Sequence, residues 1–149
     1  MKKTFLISIV LSVVVFQACD KAGLGDAVYL SNTVAPYASI PDTEPIVVVQ
    51  GEEAEVTFAV RTAFQEEVTL YYNVSGAIDL PDQSAVLERN KTSTTVSIPV
   101  PDGLVNSVDE TAEAVVTLTK ATTAGGTELR IGAINDPENQ NVSLIIVKE

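Results

Sequence analysis

Hydrophobic and polar positions alternate with a period of two along most of the chain from Val28 onward. No stretch there repeats its apolar residues at helical spacing. Val56, Phe58 and Val60 alternate with Thr57 and Ala59. Val68, Leu70, Tyr72 and Val74 alternate with Thr69, Tyr71 and Asn73. Val96, Ile98 and Val100 are separated by Ser97 and Pro99, and Ala114, Val116 and Leu118 stand opposite Glu113, Val115 and Thr117. Successive side chains of a strand point to opposite faces, so these runs predict strands with one face in a core and the other in water. Shorter runs at Val28–Leu30, Ile46–Val49, Ala85–Glu88, Leu129–Ile134 and Val142–Ile146 add to the set. Breakers separate them: Pro41 and Pro45, the turn Gln50–Glu53, a loop over Ser75–Asp82, an acidic loop over Pro101–Asp109, a turn over Thr122–Gly126, and Asn135–Asn139. Pro99 lacks the amide that a ladder needs, which places its strand at an edge or at its own end.

The sum is an all-β domain over residues 28–149, with about 7–9 short strands divided by turn signals. An immunoglobulin-like antiparallel β-sandwich is the expected architecture, with a small closed barrel as the structural alternative. The paired cysteines and buried Trp of antibody domains are absent, since the chain has one Cys and no Trp. Tyr72 is in phase with Leu70 and falls in the core, which leaves Tyr71 on an exposed sheet face.

The first 27 residues follow another pattern. Met1-Lys2-Lys3 is a short basic start, and Thr4–Phe16 is almost wholly apolar but too short to span a bilayer comfortably. That is the plan of a secretory signal peptide. Cleavage by an ordinary signal peptidase after Ala18 would put the bulky Phe16 at the −3 position, where a small residue is wanted. Phe16-Gln17-Ala18-Cys19 instead resembles a relaxed lipobox of the kind found in Bacteroidetes lipoproteins. The expectation is a lipoprotein signal peptide over 1–18, lipid attachment at Cys19, and a lipidated flexible tether over 19–27. The chain would then be an outer-membrane lipoprotein of the cell envelope, with the membrane as a partner through the lipid on Cys19.

Composition narrows the function. There is no His in 149 residues, which removes the usual general base, zinc ligand and pH switch. No Gly-x-Ser-x-Gly and no phosphate-binding glycine loop is present. Pairs of carboxylates able to serve a glycosidase are inevitable among 20 acids and carry no signal. The chain is therefore read as non-enzymatic, with no cofactor. Its formal charge is −11; without Lys2 and Lys3, seven basic residues face 20 acidic ones, a net −13. Such a balance excludes nucleic acid as a partner and disfavours anionic lipid as a surface for the protein itself.

From Val47 to Val147 the order of elements resembles the Calx-beta fold, an immunoglobulin-like sandwich of sodium–calcium exchangers and bacterial surface proteins. Val49-Gln50-Gly51 stands where that family often has a hydrophobic–Glu–Gly opening. Val56–Arg61 and Val68–Tyr72 resemble its second and third strands, and Ser93–Asp102 the strand that enters an acidic loop. Asp109-Glu110-Thr111 matches the acidic pair and Thr before its next strand, and Ile131-Gly132 resembles its penultimate strand. The sequence departs from the pattern at Gln50, Gly103 and Ala112, where an acid, a second Asp and an aromatic are usual. The layout of a lipidated Cys followed by a sandwich also resembles the small N-terminal domains of Bacteroidetes polysaccharide-utilisation lipoproteins.

The resemblance implies a calcium option. Calcium-binding members gather carboxylates from loops at one end of the sandwich, and a hard cation takes oxygen ligands. The candidates are Glu52, Glu53, Asp79, Asp82, Asp102, Asp109, Glu110 and Asp136, with solvated loop acids as the competing reading. Tyr29, Tyr37, Tyr71 and Tyr72 are the only tyrosines from which a sugar-stacking platform could be built. The expected function is a non-catalytic structural or protein-interaction module with an envelope protein partner, the alternative being a surface module that binds glycan or calcium.

Overall fold

The computed structural model describes residues 35–133 and 139–149. The expected signal peptide, Cys19, the expected tether, the expected strand at Val28–Leu30, Tyr29 and Asp136 lie outside these residues. Nine strands are described: β1 (Tyr37–Ser39), β2 (Ile46–Val49), β3 (Glu53–Val60), β4 (Val68–Gly76), β5 (Leu80–Leu87), β6 (Ser93–Pro99), β7 (Ala112–Thr123), β8 (Arg130–Ile131) and β9 (Asn141–Val147). They form two sheets, one ordered β6-β3-β1-β8 and the other β2-β9-β7-β4-β5. This is the expected all-β sandwich.

The alternation seen in the sequence is the alternation of burial. Ala54, Val56, Phe58 and Val60 of β3 face Val68, Leu70, Tyr72 and Val74 of β4 across an aliphatic core. Phe58 and Tyr72 join the sheets at a ring-centroid distance of 5.1 Å. Burying side chains of this size contributes about 1.5–3 kcal/mol each relative to exposure. Burial also raises the Tyr72 phenol above its ordinary pKa of 10.0. Tyr71, as expected, is exposed.

Most departures from the expected pattern lie at sheet edges or at strand ends. β1 was not anticipated: three residues long, it pairs antiparallel with β3 and parallel with β8. The chain then turns through Pro41 and Pro45 into the other sheet, where β2 pairs parallel with β9. The sandwich is thus antiparallel except where its first strand is split between the sheets. Ser75, Gly76 and Leu80–Asp82, expected as loop, belong to strands β4 and β5. Pro81 is tolerated because β5 is the edge of its sheet. The step from Tyr72 to Val74 is bulged there, with Asp82 at φ 52° and its amide donating to Asn73 Oδ1 at 3.0 Å. The run at Leu129–Ile134 contracts to Arg130–Ile131 within the described residues.

β7 runs on through Thr123, past the start of the expected turn. A bulge makes this possible. Tyr71 pairs with Lys120 and Tyr72 with Leu118, so Thr119 is the extra residue, and its hydroxyl donates to the Tyr71 carbonyl at 3.0 Å. The phase shifts by one, and Ala121 and Thr123 face inward in place of Lys120 and Thr122.

β6 is the edge of its sheet, as Pro99 implied. Its register with β3, fixed by Val60 N–H to Thr92 O and Val100 N–H to Glu52 O, turns the main chain of Ser93, Thr95, Ser97 and Pro99 toward the open side. The amide that Pro99 lacks is one that would have faced no strand.

Candidate functional site

Register decides which loops share an end. Glu53 pairs with Pro99, Val49 with Val147, Ala112 with Ile146 and Gly76 with Ala114. The turn 50–52, the connection 77–79, the loop 100–111 and the last residues therefore gather at one end of the sandwich. Glu52, Glu53, Asp79, Asp102, Asp109 and Glu110 all stand there, and all are exposed. Asp82 does not; it sits in the β5 bulge.

Gln50 is the joint of this end. Its own amide donates to Val147 O in one sheet, and the next amide, of Gly51, donates to Val100 O in the other, both at 2.9 Å. Its side-chain Oε1 accepts from the backbone amides of Gly103 at 3.2 Å and Val105 at 3.0 Å. Val105 is buried, and with Ile78 it plugs the space between the sheets. One neutral amide side chain thus satisfies two loop donors that would otherwise lack a protein partner. Gly51 has φ +87°, and a Cβ on it would lie 2.6 Å from Asp102 Oδ1, so the Asp102 carboxylate rests directly on the turn. Lys148 Nζ donates to Asn106 O at 3.1 Å.

The acids share the end without converging. Among the described residues, no group of three or more carboxylates is disposed to hold a metal ion. The donor chemistry suits a hard cation, but the spacing is not that of a preassembled cage. Gln50, where the family pattern has an acid, directs its oxygen to the backbone.

The three tyrosines among the described residues do not form a platform. Tyr72 is buried in the core, Tyr71 lies on the outer face of the five-stranded sheet, and Tyr37 belongs to the four-stranded one. A sugar face could not stack on Tyr37 and Tyr71 together.

Sequence reasoning missed the joint itself. It marked Gln50 as a lost acid; the signal it passed over was that Gln carries an acceptor for a loop rich in free amides.

No family model matches the chain, and no curated protein matches it. Solved structures do. The crystal structure of the apo form of the Calx CBD1 domain superposes with a TM-score of 0.56 at 12% identity, covering 77% of this chain and 98% of that one. The CBD12 structure from CALX1.2 superposes with a TM-score of 0.54 at 14% identity, covering 78% of this chain and 44% of that one. At such identity the likeness concerns the fold: the domain is a Calx-beta-like, immunoglobulin-like sandwich. Its sequence holds no histidine, no Gly-x-Ser-x-Gly and no phosphate-binding glycine loop.

Proposed function

We propose that the chain is a lipid-anchored envelope module whose Calx-beta-like sandwich binds calcium weakly at its acidic loop end. The observation that carries this reading is the gathering of Glu52, Asp79, Asp102, Asp109 and Glu110 at one end of such a fold. One matched structure is an apo form, the ligand-free state of its domain. Because no three carboxylates are preassembled among the described residues, affinity falls in the range of extracellular modules, about 10⁻⁴–10⁻³ M. Titration of the purified protein with CaCl₂ checks it. At ten times a dissociation constant of about 1 mM, the stabilisation is about 1.4 kcal/mol, a rise of several degrees in Tm. A Tm indifferent to calcium, or a rise retained in the Asp102→Asn, Asp109→Asn, Glu110→Gln variant, removes the calcium reading.

A structural or protein-interaction role is supported by a different observation, the bare β6 edge. Ser93, Thr95 and Ser97 offer amides and carbonyls there to an added strand. Photo-crosslinkers at Thr95 and, as control, Thr69 read this role: an adduct only from Thr95 supports it. Anchoring through Cys19 has its own measurement, the mass of the mature N-terminus in wild type and in Cys19→Ala. A processed, unacylated wild-type product would remove the anchor.

A further inference from the structure

The end of the sandwich opposite the acidic loops carries a row of cations. In the four-stranded sheet, Tyr37 of β1 pairs with Arg130 of β8 on one side, and its carbonyl accepts from the Arg61 amide on the other, at 3.2 Å. The next pair inward, Ala38 and Val60, points into the core. Arg61, Tyr37 and Arg130 therefore stand side by side on the outer face of the sheet, with both arginines exposed and Tyr37 half-buried between them. Lys91, also exposed, lies next in line, one residue from the Thr92 carbonyl that accepts from Val60. Four acids share this end with the row. Glu66 and Glu67 hold the turn after β7 through Gly125 and Ala124, while Glu88 and Glu128 flank the row.

We propose that this row, Lys91–Arg61–Tyr37–Arg130, is a contact for the anionic headgroups of a membrane surface, which would turn the acidic loop end away from the bilayer. Three features of the protein converge on that partner. The first strand of the sandwich, β1, begins at this end, and the Pro36 carbonyl just before it accepts from the Arg130 amide at 3.2 Å. Tyr, with an apolar ring and a polar tip, suits a headgroup boundary, and guanidinium donors pair with phosphate. And the net charge of the chain is a poor gauge of this face. Glu53 and Val60 begin and end the eight residues of β3, so the two ends are about 25 Å apart, some three Debye lengths in physiological salt. The acids at one end are screened from a surface that touches the other. Nucleic acid fits less well, because a row of three cations falls short of the 6–10 phosphate contacts of a typical binder.

The contact concerns the same envelope setting as the anchoring reading but is tested without it. The full chain carrying Cys19→Ser has no acyl group. Its partitioning is measured by co-sedimentation with phosphatidylcholine vesicles and with vesicles in which about a third of the lipid is phosphatidylglycerol. Binding by the rest of the chain enters both measurements, so the readout is the ratio between the two. Removing three cations by Arg61→Ser, Lys91→Ser and Arg130→Ser should lower that ratio roughly 100-fold, at about fivefold for each charge near the surface. In about 1 M salt, where the Debye length falls to about 3 Å, the difference should vanish. The control Asp102→Asn, Asp109→Asn, Glu110→Gln should change the ratio less than about twofold, because its charges lie beyond screening distance. An unchanged ratio in the triple serine variant overturns the proposal. So does a control that raises the ratio as much as the serine variant lowers it, since total charge would then govern. Loss of phosphatidylglycerol binding on adding inorganic phosphate at unchanged ionic strength also overturns it, in favour of a soluble-anion site.

Discussion

The two ends of the sandwich are closed by different means. At the acidic end a single side chain, Gln50, bridges both sheets and the loop 100–111, while Ile78 and Val105 fill the opening. At the opposite end the main chain does most of the fastening. Asn90 donates to Phe64 O at 2.7 Å, Ala124 to Glu67 O at 2.9 Å and Gly126 to Thr123 O at 2.9 Å, and Leu129 is the buried plug. A loop held by backbone pairing tolerates side-chain change; a loop held by one side chain does not. The acidic end is therefore the one whose shape a few residues control, and the one on which evolution or an experimenter can act most economically.

Glycine substitutions give the sharpest contrast. Gly76 has φ +108°, and a Cβ on it would lie 2.6 Å from the Glu113 carbonyl and 3.1 Å from Ala114 Cα, both backbone atoms of β7. Gly76→Ala combines conformational strain with a clash that no rotamer relieves, and should cost more than about 3 kcal/mol by urea denaturation. Gly126 at the other end has φ +85° but nothing within 4 Å of a Cβ. Gly126→Ala should cost only the conformational term, about 1 kcal/mol. Equal costs would mean that β4 and β7 part easily at the acidic end, and the contrast would fail.

Next in size is the joint. Gln50→Ala leaves the Val105 amide, partly buried, without its acceptor, and that of Gly103 open to water. A loss of about 1–3 kcal/mol follows, nearly all from Val105. The counterpart at the opposite end is Glu66, whose Oε2 accepts from the exposed Gly125 amide at 2.6 Å. Glu66→Ala should cost about 1 kcal/mol or less, since water replaces the carboxylate. Hydrogen exchange distinguishes the two: the Gln50 variant should speed exchange at Val105 and leave Gly125 unchanged, and the Glu66 variant the reverse.

How much of this was legible beforehand follows from where the signal resides. Long strands with one buried face announce themselves by alternation, which is why β3, β4 and the first half of β7 stand where Val56, Leu70 and Val116 put them. β1 carries only Tyr37, Ala38 and Ser39, too few residues for a period, and its place comes from partners far along the chain. The β7 bulge was written as a skipped beat between Leu118 and Ala121, but without the β4 register it is indistinguishable from a strand end. The candidate acids were legible as residues and not as a site. Which loops share an end depends on pairings such as Glu53 with Pro99, 46 residues apart in the chain. The row of cations was invisible for the same reason: Tyr37 opens β1, Arg61 follows β3 and Arg130 opens β8, and only the pairing of the sheet makes them neighbours.

The smallest effect at neutral pH tests whether the ends are independent at all. Tyr72 meets Phe58 in the core between the ends, and burial holds its phenol above the ordinary pKa of 10.0. A group whose folded pKa is raised contributes stability that is complete below the unfolded pKa and is lost as pH climbs through the folded one. The unfolded chain ionises first, so the Tyr72 contribution begins to fall above about pH 10. Tyr72→Phe keeps the ring packing, should change stability at pH 7 by less than about 1.5 kcal/mol, and should flatten the alkaline decline. If the sandwich opens as one cooperative unit, raising the pH above 10 should shrink the free energy of exchange at Val105 and Gly125 by the same amount, and Tyr72→Phe should remove the same part of both losses. If the acidic end opens alone through its single joint, Val105 exchange will follow Gln50 and ignore Tyr72. The two ends would then be separate units of stability sharing one core, and the contrast between them would extend from charge and closure to folding itself.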